Sequence, residues 1–305
     1  MNNEENGFGN QIPSASNSKP SAERRKFVAS AIALATTLGV SMTGSKAAGE
    51  ETSNETSASQ VQRASMKLPS PHDQRKPVVA MLVHPGVTLL DLLGPQTVLA
   101  PSCDVHLVWK NTGLLETDSG IVMKASCSFD DCPTDLDVLF VPGGQFDVMR
   151  DKDVLRFLAD RGKRAKYVTS VCGGSIVLGA AGLMRGYKAT SHWAAVPLLE
   201  QFGAIPTEGR VVTDRNRISG GGVTAGIDFG LVLLAELLGE DVAKMTQLGL
   251  EYDPAPPFDC GTPKKAGPEV MQNFSKWFGS AENTLAPMCA AAARDMGKYT
   301  PVVDN

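Results

Sequence analysis

One cysteine stands where an apolar segment gives way abruptly to glycines, in the stretch YVTSVCGGSIVL at 167–178. The first five residues predict a buried strand, and the residues from Ile176 onwards predict a helix. So short a connection requires a tight turn, which Gly173 and Gly174 permit because they lack side chains. Cys172 then lies at a helix N-terminus, where partial positive charge favours a thiolate. The pattern predicts a nucleophile; the alternative is a buried structural cysteine.

Two more turns are predicted at the same edge of the sheet. The strand DVLFV at 137–141 ends in a proline followed by Gly143 and Gly144, and Asp91 follows the first predicted strand in VTLLDLLGP. Ligands of open α/β sheets bind where the strands end, so Asp91 is expected to point towards Cys172. The N–H groups of Gly143, Gly144 and Gly173 are expected to stabilise negative charge on a substrate. The alternative for the glycines is a plain Pro-Gly turn, and the alternatives for Asp91 are a helix N-cap and a solvated surface acid.

Histidines and further cysteines add weaker candidates. His192, in ATSHW, follows a short predicted strand at this edge and is either a pocket residue or a structural histidine. His84, at the end of the first strand, is a second and weaker pocket candidate. Cys127 and Cys132 have no partners at the spacing of a zinc site. No GxGxxG motif opens a helix after the first strand. We therefore expect neither a metal nor a cofactor.

The elements that position these residues form an alternating pattern. From Pro77, short apolar segments alternate with longer amphipathic ones, which is typical of βαβ units and of a parallel sheet covered on both faces. We expect a polar hairpin at Val211–Ser219, a helix near Val270–Phe278 and a weakly structured end. The main strands are predicted at Val78–Val83, Val105–Val108, Asp137–Val141 and Tyr167–Val171, and the main helices at Leu89–Leu99, Val154–Lys163, Thr224–Leu238 and Asp241–Tyr252.

Composition limits the classes of partner. The 305 residues carry 29 Lys and Arg against 33 Asp and Glu, a formal net charge of −4. Without a basic excess the chain is a poor ligand for a phosphate backbone, so nucleic acid is not an expected partner. Six cysteines in this length are too few for a disulfide scaffold. The core must therefore rest on apolar packing.

The first residues are typical of an export signal. Arg24 and Arg25 precede a weakly apolar segment at 29–40 that is too short to span a bilayer. Small residues at 45 and 47 predict cleavage there, so residues 1–47 resemble a twin-arginine signal peptide. A basic amphipathic segment is the alternative. Residues 48–75 are rich in Ser, Thr and Glu and predict a disordered tether. We expect a periplasmic protein without a stable membrane anchor.

Six motifs taken together resemble the PfpI-like branch of the class I glutamine amidotransferase-like superfamily, and within it the isonitrile hydratases. The resemblance runs from Val78 to Pro263 and implies an α/β domain at 76–263, with a C-terminal helix and tail at 264–305. It implies a flavodoxin-like three-layer sandwich, a homodimer, Cys172 as nucleophile at a strained elbow and Asp91 as its acid/base partner. The motifs are LVHPGVTLLDLLGP, VLFVPGG, YVTSVCGGSIVLGAAGL, ATSHW, SGGGVTAGIDFGL and LEYDPAPPFDCG.

The resemblance implies the cofactor-free hydration of an isonitrile, a small-molecule substrate, to an N-substituted formamide through a thioimidate on Cys172. Gly173 departs from the family, because the peptidases have His at this place and isonitrile hydratases have Thr. This departure argues against peptidase activity and leaves the substrate open. The alternatives are a glyoxalase-like hydration of a dicarbonyl and a non-catalytic cysteine-based stress or ligand sensor. Regulators that share the domain append a DNA-binding module, for which too little chain follows Tyr252.

Overall fold

The structure, a computed structural model, describes residues 75–279 and 281–296. The predicted signal peptide and nearly all of the predicted tether lie outside the described residues. The strands are β1 (Val78–Leu82), β2 (Asp104–Trp109), β3 (Leu114–Glu116), β4 (Val122–Lys124), β5 (Cys127–Ser128), β6 (Val138–Val141), β7 (Tyr167–Val171), β8 (Lys188–Ala189), β9 (Ile205–Pro206), β10 (Val211–Asp214) and β11 (Arg217–Gly220).

A central seven-stranded sheet has the order β10-β11-β7-β6-β1-β2-β5. Its strands run parallel except for β10, which pairs with β11 as the predicted hairpin. All four residues of β6 are buried, as are Val79–Leu82 of β1. Strands that are buried on both faces read as continuous apolar segments, and this is the pattern from which the parallel sheet is predicted.

Helices cover both faces of this sheet. The helices are α1 (Leu89–Leu99), α2 (Lys152–Arg164), α3 (Gly174–Ala180), α4 (Ala225–Leu238), α5 (Glu240–Gly249), α6 (Pro263–Phe278) and α7 (Ala281–Asp295), with 3₁₀ helices at Phe146–Arg150 and Val196–Phe202. Helix α4 packs against α1 and α5 on one side of the sheet, and α3 packs against α2 and α7 on the other, which gives a flavodoxin-like α/β sandwich as the sequence predicts. None of the described helices is long and apolar enough to cross a membrane.

The expectation of a weakly structured end is wrong for residues 281–295, which form helix α7, whereas residues 297–305 lie outside the described residues. Helix α7 buries Leu285, Cys289 and Ala292, and it packs against α3 and both 3₁₀ helices. These three residues are spaced four and three apart, so they form one stripe of a helix. Gly279 and Pro287 interrupt the region and obscure this period in the sequence.

Two short features also escape prediction. The β3–β4 hairpin leaves Leu114 77 % and Val122 56 % exposed, so its apolar residues do not follow a buried pattern. The 3₁₀ helix at Phe146–Arg150 has five residues, too few to show a period. Both features lie beside the strand ends that carry the candidate site.

Candidate active site

Cys172 occupies a strained elbow between β7 and α3. Its φ of 56° lies in the left-handed region, which non-glycine residues seldom adopt. The backbone around it fixes this conformation, because its N–H donates to the carbonyl of Gly221 at 2.8 Å and its carbonyl accepts the hydroxyl of Ser191 at 2.6 Å. A Cβ at Gly174 would overlap the carbonyl oxygen of Val141. The glycine is therefore required for the turn.

Asp91 lies in the first turn of α1 and is fully buried. Its Oδ2 accepts the N–H of Gly143 at 2.9 Å. Its Oδ1 is buried and has no hydrogen-bond partner among the described residues, and the carboxyl group interacts with the thiol of Cys172. A Cβ at Gly143 would lie 2.6 Å from Asp91 Oδ2 and 3.1 Å from Cys172 Cβ. The missing side chain at Gly143 thus lets the acid and the thiol meet.

Burial controls the ionisation of this pair. Loss of water raises the pKa of Asp91 to about 7, against the weaker opposing effect of the Gly143 N–H. Burial also raises the pKa of Cys172, and the neighbouring carboxylate raises it further. The sequence predicts a lowered thiol pKa at the helix N-terminus, and here the structure differs because desolvation outweighs that effect. Above about pH 7 the pair therefore shares one proton and carries one negative charge.

This shared proton gives a first prediction, on the pH dependence of thiol labelling. The rate at which iodoacetamide alkylates Cys172 should rise as the pair loses its first proton near pH 7 and then level off. The plateau reflects the fixed fraction of the singly charged pair in which the sulfur holds the charge. In Asp91→Asn this step near neutral pH should be absent, as intact-mass spectrometry over a pH series would show. An unchanged step in the variant would contradict the coupling.

The three amides predicted to bind negative charge are used differently. The N–H of Gly173 points at the sulfur of Cys172. The N–H of Gly143 is engaged by Asp91, so it does not have the role expected for it. A Cβ at Gly144 would lie 2.6 Å from a ring carbon of His84 and 2.8 Å from the Cα of Val87, so this glycine lets the loop pack closely against the segment after β1. The structure thus brings the amide of Gly173 to the nucleophile.

Neither candidate histidine contacts the thiol in the structure. His192 is half-buried, its Nδ1 accepts the N–H of Ala194 at 3.3 Å, and burial lowers its pKa. Its neighbour Ser191 contacts Cys172 instead. His84 is buried against Trp109, and its Nδ1 lies 3.0 Å from the carbonyl of Pro85. Both rings are thus held by the scaffold around the site.

Sequence reasoning missed three residues of the site. Ser191 donates its hydroxyl to the carbonyl of Cys172, whereas the motif ATSHW favours its neighbour His192 as the candidate. Asp118 accepts the N–H of Leu89 at 3.0 Å at the start of α1, and its charge raises the pKa of Asp91 and of Cys172. Phe146 begins a 3₁₀ helix and packs over Gly173. Asp118 lies in the β3–β4 hairpin and Phe146 in the short 3₁₀ helix. Neither element has a hydrophobic period in the sequence, so no local pattern predicts these two residues.

The described residues hold no group of three or more His, Cys, Asp or Glu side chains that could bind a metal ion. The site therefore offers a thiol, a buried carboxyl group and a backbone N–H within one small volume. This set can protonate a substrate atom and attack it, and it can then deprotonate water.

Comparisons with known proteins show which family and which relatives the chain resembles. Residues 77–236 match the DJ-1/PfpI family. The chain is 50 % identical over 202 residues to an isonitrile hydratase from Pseudomonas putida. This match covers 65 % of this chain and 88 % of that protein. A crystal structure of a ThiJ/PfpI family protein from Pseudomonas syringae has a TM-score of 0.68 at 45 % identity and covers 72 % of this chain and 91 % of its own.

A more distant relative has a different role. The chain is 30 % identical over 148 residues to the HTH-type transcriptional regulator GbdR from Pseudomonas aeruginosa. This match covers 47 % of this chain and 37 % of the regulator. Enzymes and regulators thus share the domain. Because the family model matches residues 77–236, which is more than half of the chain, the chain belongs to the DJ-1/PfpI family.

Proposed function

We propose that this protein is a cofactor-independent hydro-lyase that hydrates an isonitrile to an N-substituted formamide. The observation that carries the proposal is the buried carboxyl of Asp91, whose Oδ1 has no partner among the described residues and which meets the thiol of Cys172. An isonitrile carbon is electron-rich and accepts a nucleophile only when it is also protonated. The 50 % identity to an isonitrile hydratase supports this choice of substrate.

The first step uses the proton that the pair shares. In the singly charged pair, the form with Asp91 protonated holds a thiolate at Cys172. Asp91 gives its proton to the isonitrile carbon while the sulfur attacks the same carbon, so a C–H bond and a C–S bond form. The product is a thioimidate, and Asp91 remains as a carboxylate.

Water completes the reaction without a cofactor. The carboxylate of Asp91 takes a proton from water as the oxygen adds to the thioimidate carbon, and this proton passes to nitrogen. The C–S bond then breaks, Asp91 takes the hydroxyl proton, and the formamide leaves. The N–H of Gly173 faces the sulfur as it departs with negative charge. One isonitrile and one water give one formamide, and the pair returns to its starting state.

A product assay separates this function from its alternatives. Purified protein is incubated with cyclohexyl isonitrile or with methylglyoxal, and Cys172→Ala is the control. Formation of N-cyclohexylformamide by the wild-type protein alone supports the hydratase. A hydroxy acid from methylglyoxal, without formamide, would instead support the glyoxalase-like alternative. Turnover of neither compound would favour a cysteine-based sensor.

We also propose that residues 1–47 direct the protein to the periplasm by the twin-arginine route. Replacing both Arg24 and Arg25 by lysine keeps the charge and removes the guanidinium pair, so the protein should accumulate in the cytoplasm. Cell fractionation and immunoblotting measure this. Lys19→Gln serves as the control, because it removes a basic charge and keeps the pair. Undiminished export of the double-lysine variant would disprove the assignment.

A further inference from the structure

Phe146 places an aromatic ring where the residue after the nucleophile would carry a side chain. A Cβ built on Gly173 would lie 2.8 Å from Cε1 and 2.9 Å from Cζ of this ring. Such distances are too short for ordinary contact, so the ring fills the space over Gly173. The N–H of Gly173 in turn faces the sulfur of Cys172. The ring is thus separated from the nucleophile by a single backbone unit.

Phe146 lies on a segment that is packed between helices. It starts the 3₁₀ helix at Phe146–Arg150, which follows β6 through Gly143 and Gly144. That helix packs against α3, which carries the elbow, and against α7. Phe146 is only half-buried, so part of the ring is in contact with the core and part remains exposed.

We propose that Phe146 is a specificity-determining residue that selects isonitriles with an apolar group on nitrogen. This inference rests on the proposed function. The group on nitrogen extends away from the sulfur once the C–S bond forms, and the exposed part of the ring is an apolar surface available to it. A charged group placed there would lose hydration and gain no hydrogen bond from the ring. An alkyl or aryl group would bury apolar surface instead.

Gly173 and Phe146 must act together under this proposal. A methyl group at position 173 would push the ring away from its present position. Gly173→Ala should therefore impair the selection of apolar substrates in the same direction as Phe146→Ala. Because both changes remove one surface, their effects should not add in the double variant.

The kinetic test compares cyclohexyl isonitrile with isocyanoacetate, which carries a charge. Phe146→Ala should lower kcat/KM for the cyclohexyl compound about tenfold, mainly through KM, the scale of a lost apolar contact. For isocyanoacetate it should change kcat/KM by less than about twofold on the same reasoning. Phe146→Leu keeps an apolar surface and should retain most of the preference. Equal losses for both compounds in Phe146→Ala would overturn the proposal.

A labelling test needs no turnover. N-benzyl iodoacetamide should alkylate Cys172 of the wild-type protein faster than iodoacetate does. The ratio of these two rates should fall in Phe146→Ala and fall less in Phe146→Leu. If the wild-type protein makes no formamide but the labelling ratio still falls in Phe146→Ala, the proposed function fails, and the apolar surface at Phe146 is supported. If formamide is made and both the kinetic preference and the labelling ratio are unchanged in Phe146→Ala, the specificity role fails alone.

Discussion

Cys172→Ala is expected to abolish turnover of any accepted substrate and to leave the fold intact. The sulfur forms the bond to carbon in the first step, and no other described side chain near Asp91 offers a nucleophile of this kind. Stability should not fall, because alanine can keep the backbone bonds of the elbow to Gly221 and Ser191. Formamide production and Tm measure the two effects.

The control for this variant is Cys260→Ala. Cys260 is exposed, so its loss should change neither turnover nor Tm. A Cys172→Ala protein that retains more than about a tenth of the wild-type rate would remove covalent catalysis by this cysteine, since loss of a nucleophile costs orders of magnitude.

Asp91→Asn is expected to lower the rate by at least about 100-fold, the usual scale for a positioned acid/base. An amide cannot donate a proton to carbon as an acid, and it cannot deprotonate water. Any thioimidate that does form should therefore persist, and intact-mass spectrometry would detect it on Cys172. The amide oxygen can still accept the N–H of Gly143, so the site should keep its shape.

Stability provides a second readout for Asp91→Asn. The pKa of Asp91 is raised from 3.8 to about 7 in the folded protein, so the wild type loses stability as the pH rises from about 4 to 7. The variant lacks this loss. Its Tm should match the wild type near pH 4 and exceed it at pH 8. A lower Tm at pH 8 would show that the carboxylate stabilises the fold.

Asp118→Asn is the matched control for Asp91→Asn. Asp118 also acts on the pKa of both site residues through its charge, and an amide can still accept the N–H of Leu89 at the start of α1. Its substitution should shift the pH profile slightly and leave most of the activity. A comparable loss in Asp118→Asn would mean that the local charge, and not proton transfer by Asp91, explains the effect.

Local patterns explain what the sequence could predict. The strand, the cysteine and the glycines at 167–174 determine the elbow within eight consecutive residues, because a side chain at Gly174 would overlap the carbonyl of Val141. The meeting of Asp91 with Cys172 follows from a rule of parallel sheets, in which strand ends share one edge. Alternation of apolar segments likewise predicts the sheet.

Packing over long distances explains what the sequence could not. The pKa of Cys172 depends on how much water the surrounding elements exclude, and the helix N-terminus predicted the opposite direction. The N–H of Gly143 is taken by a residue 52 positions earlier in the chain. Phe146 reaches the site because Gly173 has no side chain in the space that its ring fills. Neither a hydrophobic period nor a helix or strand propensity predicts this contact.

The position of α7 in the chain affects how the protein is made. Helix α7 is synthesised after every other described element, yet it covers α3 and the 3₁₀ helix that carries Phe146. The helix behind the nucleophile therefore remains uncovered until Leu285, Cys289 and Ala292 emerge. We expect a nascent chain stalled before this stripe to leave apolar surface of α3 uncovered beside Cys172.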